Sequence, residues 1–201
     1  MDTTARQRRT TLRERRRVHD MKVVQRVAVE LFTTQGFDDV SVERVATAAE
    51  VSPVSIYRWF GTKEALVLWD DYDPPLLAAI GAHLAEAAPF VAVRDGVVDE
   101  LAQVYDRDRD LVLTRTQLIH REPALLAAST HGIRAMELAL ADLFGNAGHG
   151  RDPVQRRTWA AVAVAVLRAA VDAWQQHDGR QPLADIVRTA FADLEELSWT
   201  T

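Results

Sequence analysis

Apolar residues recur at intervals of three and four along most of this 201-residue chain, and no useful length of it alternates with period two. The first spacing indicates amphipathic helices, whereas the second is typical of strands. A helix over residues 19–35, which Gly36 ends, is predicted by the stripe Met21, Val24, Val27, Ala28, Leu31 and Phe32. We therefore expect an all-α protein of nine or ten helices.

Proline, glycine and aspartate divide the remainder of the chain. The tandem prolines Pro74 and Pro75 follow a run of aspartates and must break or kink a helix. Between such breaks, apolar stripes predict helices over residues 63–72, 74–88, 95–105, 111–120, 123–143, 153–177 and 183–197. The alternating charges over residues 106–110 are interpreted as a solvated loop. We expect the domain boundary within residues 63–75.

The most informative pattern lies in residues 37–68. Ser41 suits the N-cap of a short helix. That helix buries one apolar stripe, which consists of Val42, Val45, Ala46 and Ala49. Ser52 then offers a second N-cap, and Pro53 occupies the first helical position, where its missing N–H costs nothing. A second helix is therefore predicted to start at once.

The second helix carries an outward surface of mixed chemistry. Ile56 and Phe60 are four residues apart and can pack inward. The residues left facing outward are Val54, Ser55, Tyr57, Arg58 and Trp59. The alternative, that the aromatic residues are all core, would bury polar groups without partners. Two short helices joined by a tight turn, with this surface on the second, indicate a DNA-binding helix-turn-helix.

These residues resemble those of the TetR-type transcriptional regulators. The resemblance covers roughly the first third of the chain, and the matched positions are Leu31-Phe32, Gly36-Phe37, Ser41-Val42, Val45-Ala46, Val51-Ser52, Ile56-Tyr57-Arg58-Trp59-Phe60 and Lys63-Glu64-Ala65-Leu66. Glu50 stands where the family usually has glycine. Since a non-glycine residue at positive φ costs about 1 kcal/mol, we expect a strained or reshaped turn there.

The resemblance implies a homodimeric regulator that a small-molecule effector releases from a palindromic operator, with repression favoured over activation. The implied DNA-binding residues are Ser41, Val42, Arg44, Ser52, Pro53, Val54, Ser55, Tyr57, Arg58, Trp59 and Lys63. By resemblance, Pro53, Val54 and Tyr57 face bases. Those implied to face phosphates are Ser41, Ser55, Trp59 and Lys63.

The net charge of −5 divides unevenly along the chain. Residues 1–65 carry 12 Lys and Arg against 9 Asp and Glu, whereas residues 66–201 carry 12 against 20. A basic beginning suits phosphates, and an acidic remainder limits non-specific binding to nucleic acid. Residues 1–18 hold seven arginines and are interpreted as a flexible arm, either a solvated tail or a segment that orders on DNA. Residues 19–65 are then the DNA-binding domain, and residues 66–201 an effector and dimerisation domain.

The acidic part offers two sets of candidate residues. The family houses an effector pocket here, and candidates for an apolar or amphipathic ligand are Trp69, Tyr72, Tyr105, Gln117, His120, Met136, Phe144 and Trp174. The last two predicted helices are too widely apolar for one buried face. We interpret them as a four-helix dimer interface that includes Trp159, Val162, Val166, Ala170, Ile186, Ala190 and Leu194. The alternative is that they serve only the internal core.

The rival class is a helical enzyme or a metal-binding bundle. The chain has no cysteine, no H-x-x-x-H pair, no G-x-S-x-G and no glycine-rich phosphate loop. No catalytic residue, metal or cofactor is therefore expected. The longest apolar run, residues 159–167, is far shorter than the roughly 20 residues of a membrane helix, so we expect no membrane contact and a cytoplasmic protein.

Overall fold

The computed structural model describes the backbone of residues 3–197 and the side chains of residues 13–103 and 108–196. Within these residues the chain forms nine α-helices and no strand. They are α1 (Thr3–Gln35), α2 (Val42–Ala48), α3 (Pro53–Phe60), α4 (Ala65–Leu68), α5 (Asp73–His83), α6 (Pro89–Arg121), α7 (Pro123–Asn146), α8 (Pro153–Gln176) and α9 (Leu183–Leu197). The predicted all-α fold is confirmed. Among the described helices, none is long and apolar enough to cross a membrane.

Proline starts several of these helices because its fixed φ suits the first turn. It occupies an N1 or N2 position in α3, α5, α6, α7 and α8. At α8 the Asp152 carboxylate also accepts hydrogen bonds from the backbone N–H groups of Val154 and Gln155, both at 2.9 Å. The helix starts read from the sequence are therefore accurate for α3, α7, α8 and α9.

Several predicted boundaries were wrong, and one of them is the end of the helix predicted over 74–88, which ends at His83. The helix predicted over 19–35 begins at Thr3, because the arginine-rich segment contains no proline or glycine to stop it. Helices predicted over 95–105 and 111–120 are one continuous α6, since alternating charges do not break a helix. The helix predicted over 63–72 is only α4, because the chain leaves the helical conformation at Trp69, where ψ is 127°.

The turn after α4 has a local cause. The Asp70 carboxylate accepts a hydrogen bond from the Tyr72 backbone N–H at 2.9 Å. Short polar side chains that bond to their own backbone compete with helix formation. The segment between α4 and α5, residues 69–72, is therefore a tight linker.

Two apolar cores hold the helices together. The larger one lies among α5 to α9 and contains Ile80, Leu140, Phe144, Trp174 and Phe191, each at most 1% exposed. The second, which we call the head core, lies among α1 to α4. It also receives Leu118 from α6 and Leu125 from α7, both 0% exposed. The N-terminal helices therefore pack directly on the rest of the chain.

Helices α5 and α6 approach closely at Gly96. A Cβ built on Gly96 would lie 2.6 Å from the backbone nitrogen of Ile80. Backbone cannot move aside as a flexible side chain can. We therefore predict that Gly96→Ala destabilises the protein by about 1–3 kcal/mol through overpacking, measured by urea unfolding.

Gly132 supplies the matched control for Gly96→Ala. It lies in α7, and a Cβ there would meet nothing within 4 Å. Gly132→Ala should raise stability by about 0.4–1 kcal/mol, because alanine has the better helix propensity. Equal effects of the two substitutions would contradict the proposed close approach.

Candidate nucleic-acid interface

Helix α2 begins as the sequence predicts. The Ser41 hydroxyl accepts a hydrogen bond from the Arg44 backbone N–H at 3.2 Å. Val45 and Ala46 are buried, while Glu43 and Arg44 are exposed. Val42 is only 5% exposed and belongs to the head core, which corrects its assignment as a DNA contact through the side chain.

The turn between α2 and α3 is built around Glu50. Its φ is 55°, the left-handed value expected from the missing glycine. The Glu50 N–H donates to the Thr47 carbonyl at 3.3 Å, and the Val51 N–H donates to the Ala46 carbonyl at 3.0 Å. This pair of bonds is the Schellman arrangement that ends helices. The motif is therefore kept at a conformational cost of about 1 kcal/mol.

Helix α3 is held at both ends and presents one face outward. The Ser52 hydroxyl accepts from the Ser55 N–H at 3.1 Å, and Gly61, at φ 80°, caps the other end. Ile56 is 1% exposed and anchors the helix, whereas Val54 is 73% and Tyr57 49% exposed. A capped helix with a buried anchor and free Val54 and Tyr57 side chains can present them to a groove.

Arginines of α1 lie beside this helix. Arg13, Arg16 and Arg17 line an open groove of about 300 Å³ together with Asp20, Arg58 and Trp59. The Arg58 guanidinium carbon lies 5.9 Å from the centroid of the Trp59 ring. Within the described side chains, Arg13, Arg16 and Arg17 of the predicted arm therefore lie on α1 next to α3. The run of arginines in the sequence signalled positive charge but not this position.

The side chain of Lys63 contacts residues just before α2. Its ammonium lies 4.5 Å from the Phe37 ring centroid and donates to the Asp38 carbonyl at 3.5 Å. Cation–π contacts of this kind are worth about 0.5–1 kcal/mol at exposed sites. Lys63 thus helps to hold the loop before α2, whatever it contacts on DNA.

The described members of the predicted ligand set lie in several parts of the structure. Phe144 and Trp174 fill the larger core, Met136 packs against it, and Trp69 packs on Phe60. The side chain of Tyr105 lies outside the described residues. An open groove of about 650 Å³ lies instead where α5 and α7 end, beside His149, and the seven described candidates do not line it. That groove is therefore not the predicted pocket, and a ligand cavity lined by these residues stays a prediction.

The polar candidates among them have partners of their own. The Tyr72 hydroxyl donates to Asp108 at 3.2 Å. Gln117 donates to the Gln175 carbonyl at 3.3 Å, and His120 pairs with Asp172 at 2.6 Å. Each of these three side chains joins α6 or the linker to another part of the chain. These contacts explain their positions without a ligand.

The predicted dimer residues lie along α8 and α9. Trp159, Val162 and Val166 are half-buried within the chain, as are Ile186, Ala190 and Leu194. Ala170 is only 2% exposed and packs into the chain's own core, and its place in a dimer interface stays a prediction. An open groove of about 360 Å³ lies between the two helices. The residues that line it are Ala169, Ala170, Ala173, Gln181, Asp185, Ile186, Thr189, Ala190 and Asp193.

Two sequence profiles match the chain. The profile described as "Bacterial regulatory proteins, tetR family" matches residues 26–68, and the profile described as "MftR C-terminal domain" matches residues 87–197. The second match alone spans more than half of the chain. The chain belongs to the TetR family of bacterial regulatory proteins.

The HTH-type transcriptional regulator TcmR of Streptomyces glaucescens is 32% identical over 136 residues. These residues are 64% of this chain but only 59% of TcmR, so the match spans less than two thirds of that relative's length.

Two solved structures share the fold. FadR of Thermus thermophilus, a TetR family transcriptional repressor solved with lauroyl-CoA, superposes with a TM-score of 0.53 at 21% identity and covers 86% of this chain and 91% of its own. NalD of Pseudomonas aeruginosa, the secondary repressor of the MexAB-OprM multidrug efflux pump, superposes with a TM-score of 0.58 at 12% identity. The match covers 89% of this chain and 94% of the NalD chain.

Asp73 is the first residue of α5, and its carboxyl group has a raised pKa. Burial, followed by the nearby charge of Asp70, raises its pKa from 3.8 to about 6, although Arg115 opposes the shift. Above pH 6 the carboxylate is charged in both the folded and unfolded states, and its burial costs stability. As pH falls from 6 to 4, only the folded state takes up the proton, so that cost disappears.

We therefore predict that Asp73→Asn is more stable than the parent at pH 8, by about 1 kcal/mol after allowance for solvent screening. The advantage should shrink as pH falls through the window from 6 to 4. Urea unfolding at several pH values measures the difference.

Asp152→Asn is the control, because the pKa of Asp152 is shifted in the opposite direction to that of Asp73. Hydrogen bonds from the Gln155 and then the Val154 backbone lower the pKa of Asp152. The parent should therefore lose its advantage over this variant as pH falls below the ordinary aspartate range. Parallel pH profiles for the two variants would contradict the assignment of Asp73.

Proposed function

We propose that this protein is a homodimeric transcriptional repressor that binds a palindromic operator in double-stranded DNA and leaves it when a small molecule binds. The observation that carries the proposal is the outward face of α3, where Val54 and Tyr57 are exposed beside the groove that Arg13, Arg16, Arg17 and Arg58 line. A capped recognition helix flanked by arginines fits a major groove and its phosphates. Since bacterial DNA lies in the cytoplasm, we propose that the protein acts there.

Residues that contact phosphates and residues that contact bases are distinguished by their chemistry and position. Arginine contacts to phosphates release counterions and carry no sequence information, whereas side chains on the exposed face of α3 can meet base edges. Val54 and Tyr57, with Pro53, are therefore proposed to face bases. The residues proposed to meet the backbone are Ser41, Arg44, Ser52, Ser55, Arg58, Trp59 and Lys63, joined by the arginines of α1.

A two-fold dimer would place two copies of α3 in successive major grooves, about 34–36 Å apart. We propose that α8 and α9 form its interface. Four of the nine residues that line the groove between them are alanines, and their small side chains allow helices of a second copy to approach closely. The half-buried residues along the same helices supply apolar area for that contact.

The effector is proposed to be apolar or amphipathic. FadR is solved with lauroyl-CoA, an amphipathic molecule, and acyl-CoA compounds therefore belong in a first screen. The rival proposal of a metal-binding bundle has no supporting observation: within the described residues, no group of three His, Asp or Glu side chains is placed to hold a metal ion. We propose no catalytic role.

The experiment that tests the proposal is selection of bound duplexes from a random pool, followed by a screen for compounds that release the selected duplex. A palindromic consensus and its release by a small molecule are the expected results. Recovery of no enriched duplex would overturn the proposal.

The arginines and Tyr57 should act differently on the selected operator. Arg13→Gln with Arg16→Gln should weaken binding to all duplexes alike and reduce the salt slope by up to about 2, because two phosphate contacts are lost. Tyr57→Ala should cost about 1–3 kcal/mol at the operator and leave the salt slope unchanged. Fluorescence anisotropy over a salt series measures both quantities.

The control for charge is Arg157→Gln with Arg180→Gln, since both residues are exposed and lie far along the chain from α3. This variant has the same net charge as the double arginine variant of α1. If it weakens binding as much, the effect is one of overall charge, and the proposed groove contact is wrong.

The dimer proposal predicts a change of assembly. Ala169 is exposed and lines the groove between α8 and α9. Ala169→Glu should leave the fold intact but give a monomer by analytical ultracentrifugation, because a buried, unpaired carboxylate opposes association. The exposed Ala82 of α5 provides the matched control, and Ala82→Glu should remain dimeric. A dimer of unchanged stability for Ala169→Glu would place the interface elsewhere.

A further inference from the structure

Trp69, the residue that follows α4, contacts three separate helices. Its ring forms a T-shaped contact with that of Phe60, the last residue of α3, with centroids 5.9 Å apart and an interplanar angle of 87°. Its carbonyl oxygen accepts a hydrogen bond from Gln25 Nε2 of α1 at 2.6 Å. The same oxygen accepts from Arg115 Nη1 of α6 at 3.0 Å. One residue thus joins the recognition helix to α1 and to α6.

Both donors to this carbonyl are withdrawn from solvent. Gln25 is 4% exposed and also donates to the Val67 carbonyl at 3.2 Å. The Arg115 side chain is 12% exposed, and its Nη2 pairs with Asp70 at 2.6 Å. Burial alone would lower the pKa of Arg115, but the charge and hydrogen bond of Asp70 outweigh it and raise that pKa. The guanidinium therefore stays charged and held beside the linker.

A carbonyl oxygen has two lone pairs, and here side chains from two helices take them. Trp69 cannot shift with α1 alone or with α6 alone without breaking one of these buried bonds. Losing a buried hydrogen bond carries a desolvation penalty, so the joint resists relative movement. Because the Trp69 ring packs on Phe60, the position of Trp69 also restrains the C-terminal end of α3.

We propose that Arg115 and Gln25 are positioning residues for DNA binding: by holding the Trp69 carbonyl between them, they seat the recognition helix in its binding orientation. Neither residue belongs to the groove beside α3. This inference rests on the proposed function. It differs from a purely structural role, in which the same contacts would stabilise the fold without altering DNA affinity.

The test compares Gln25→Met, Arg115→Met and the double variant of the full-length protein on the selected operator. Methionine keeps much of the length of each side chain but donates no hydrogen bond. Anisotropy should be measured at least 20 °C below each melting temperature. We expect each single variant to bind about 5- to 50-fold more weakly, within the range of couplings between sites. The salt slope should not change, because no phosphate contact is lost.

The double variant should bind within about twofold of the weaker single variant, since both residues act through one carbonyl. Arg94→Met is the matched control: it is the same substitution in the same helix, and Arg94 pairs with Asp95 at 2.8 Å near the start of α6. It should leave operator affinity within twofold of the parent.

Three outcomes would overturn the inference. Single variants that melt earlier yet bind as the parent does would show a purely structural role. Losses that multiply in the double variant would show that the two residues act independently. An equal loss for Arg94→Met would show a general effect of destabilising α6. If Arg115→Met does not fold, Gln25→Met decides between the positioning and the structural role by itself. A parent protein that selects no duplex would instead contradict the proposed function.

Discussion

The carbonyl of Trp69 is a point at which the N-terminal helices and the rest of the chain are joined by hydrogen bonds. A buried backbone carbonyl needs a hydrogen-bond donor. The linker is not helical, so no backbone N–H of a following helical turn donates to the Trp69 carbonyl. Gln25 and Arg115 do so from opposite parts of the molecule. Leu118 and Leu125 reinforce the joint by entering the head core from α6 and α7. The DNA-binding helices are thus seated on the C-terminal helices by polar and apolar contacts together.

Within the head, backbone chemistry orients α3 and leaves its outer side chains free. Serine caps start α2 and α3, and the Schellman bonds around Glu50 join them. The cost of a left-handed glutamate is about 1 kcal/mol, which capping interactions of similar size offset. Ile56 is buried and Trp59 and Phe60 are partly buried against the head core, whereas Val54 is 73% and Tyr57 49% exposed. A surface free of structural roles can be specialised for recognition.

The candidate interface could be predicted from the sequence because its signals are local. Caps, the turn at Glu50 and the exposed face of α3 each depend on residues within about four positions of one another. Val42 shows where local signals are insufficient. It follows the N-cap of α2, but it lies on the apolar stripe of that helix, so its side chain is buried. The set of ligand residues stays a prediction for a related reason. Large aromatic residues such as Phe144 and Trp174 can line a cavity or fill a core, and composition does not distinguish the two.

The sequence by itself determined the helical class, the helix-turn-helix and most helix starts, because periodicity, caps and prolines act over one or two turns. Only the tertiary structure decided that the arginine-rich segment continues α1 beside α3, and that α6 runs unbroken through its charged middle. It alone joined Trp69 to Gln25 and Arg115, which lie 44 and 46 residues away along the chain. Contacts at such separations depend on how whole helices pack, and no local pattern of residues records that packing.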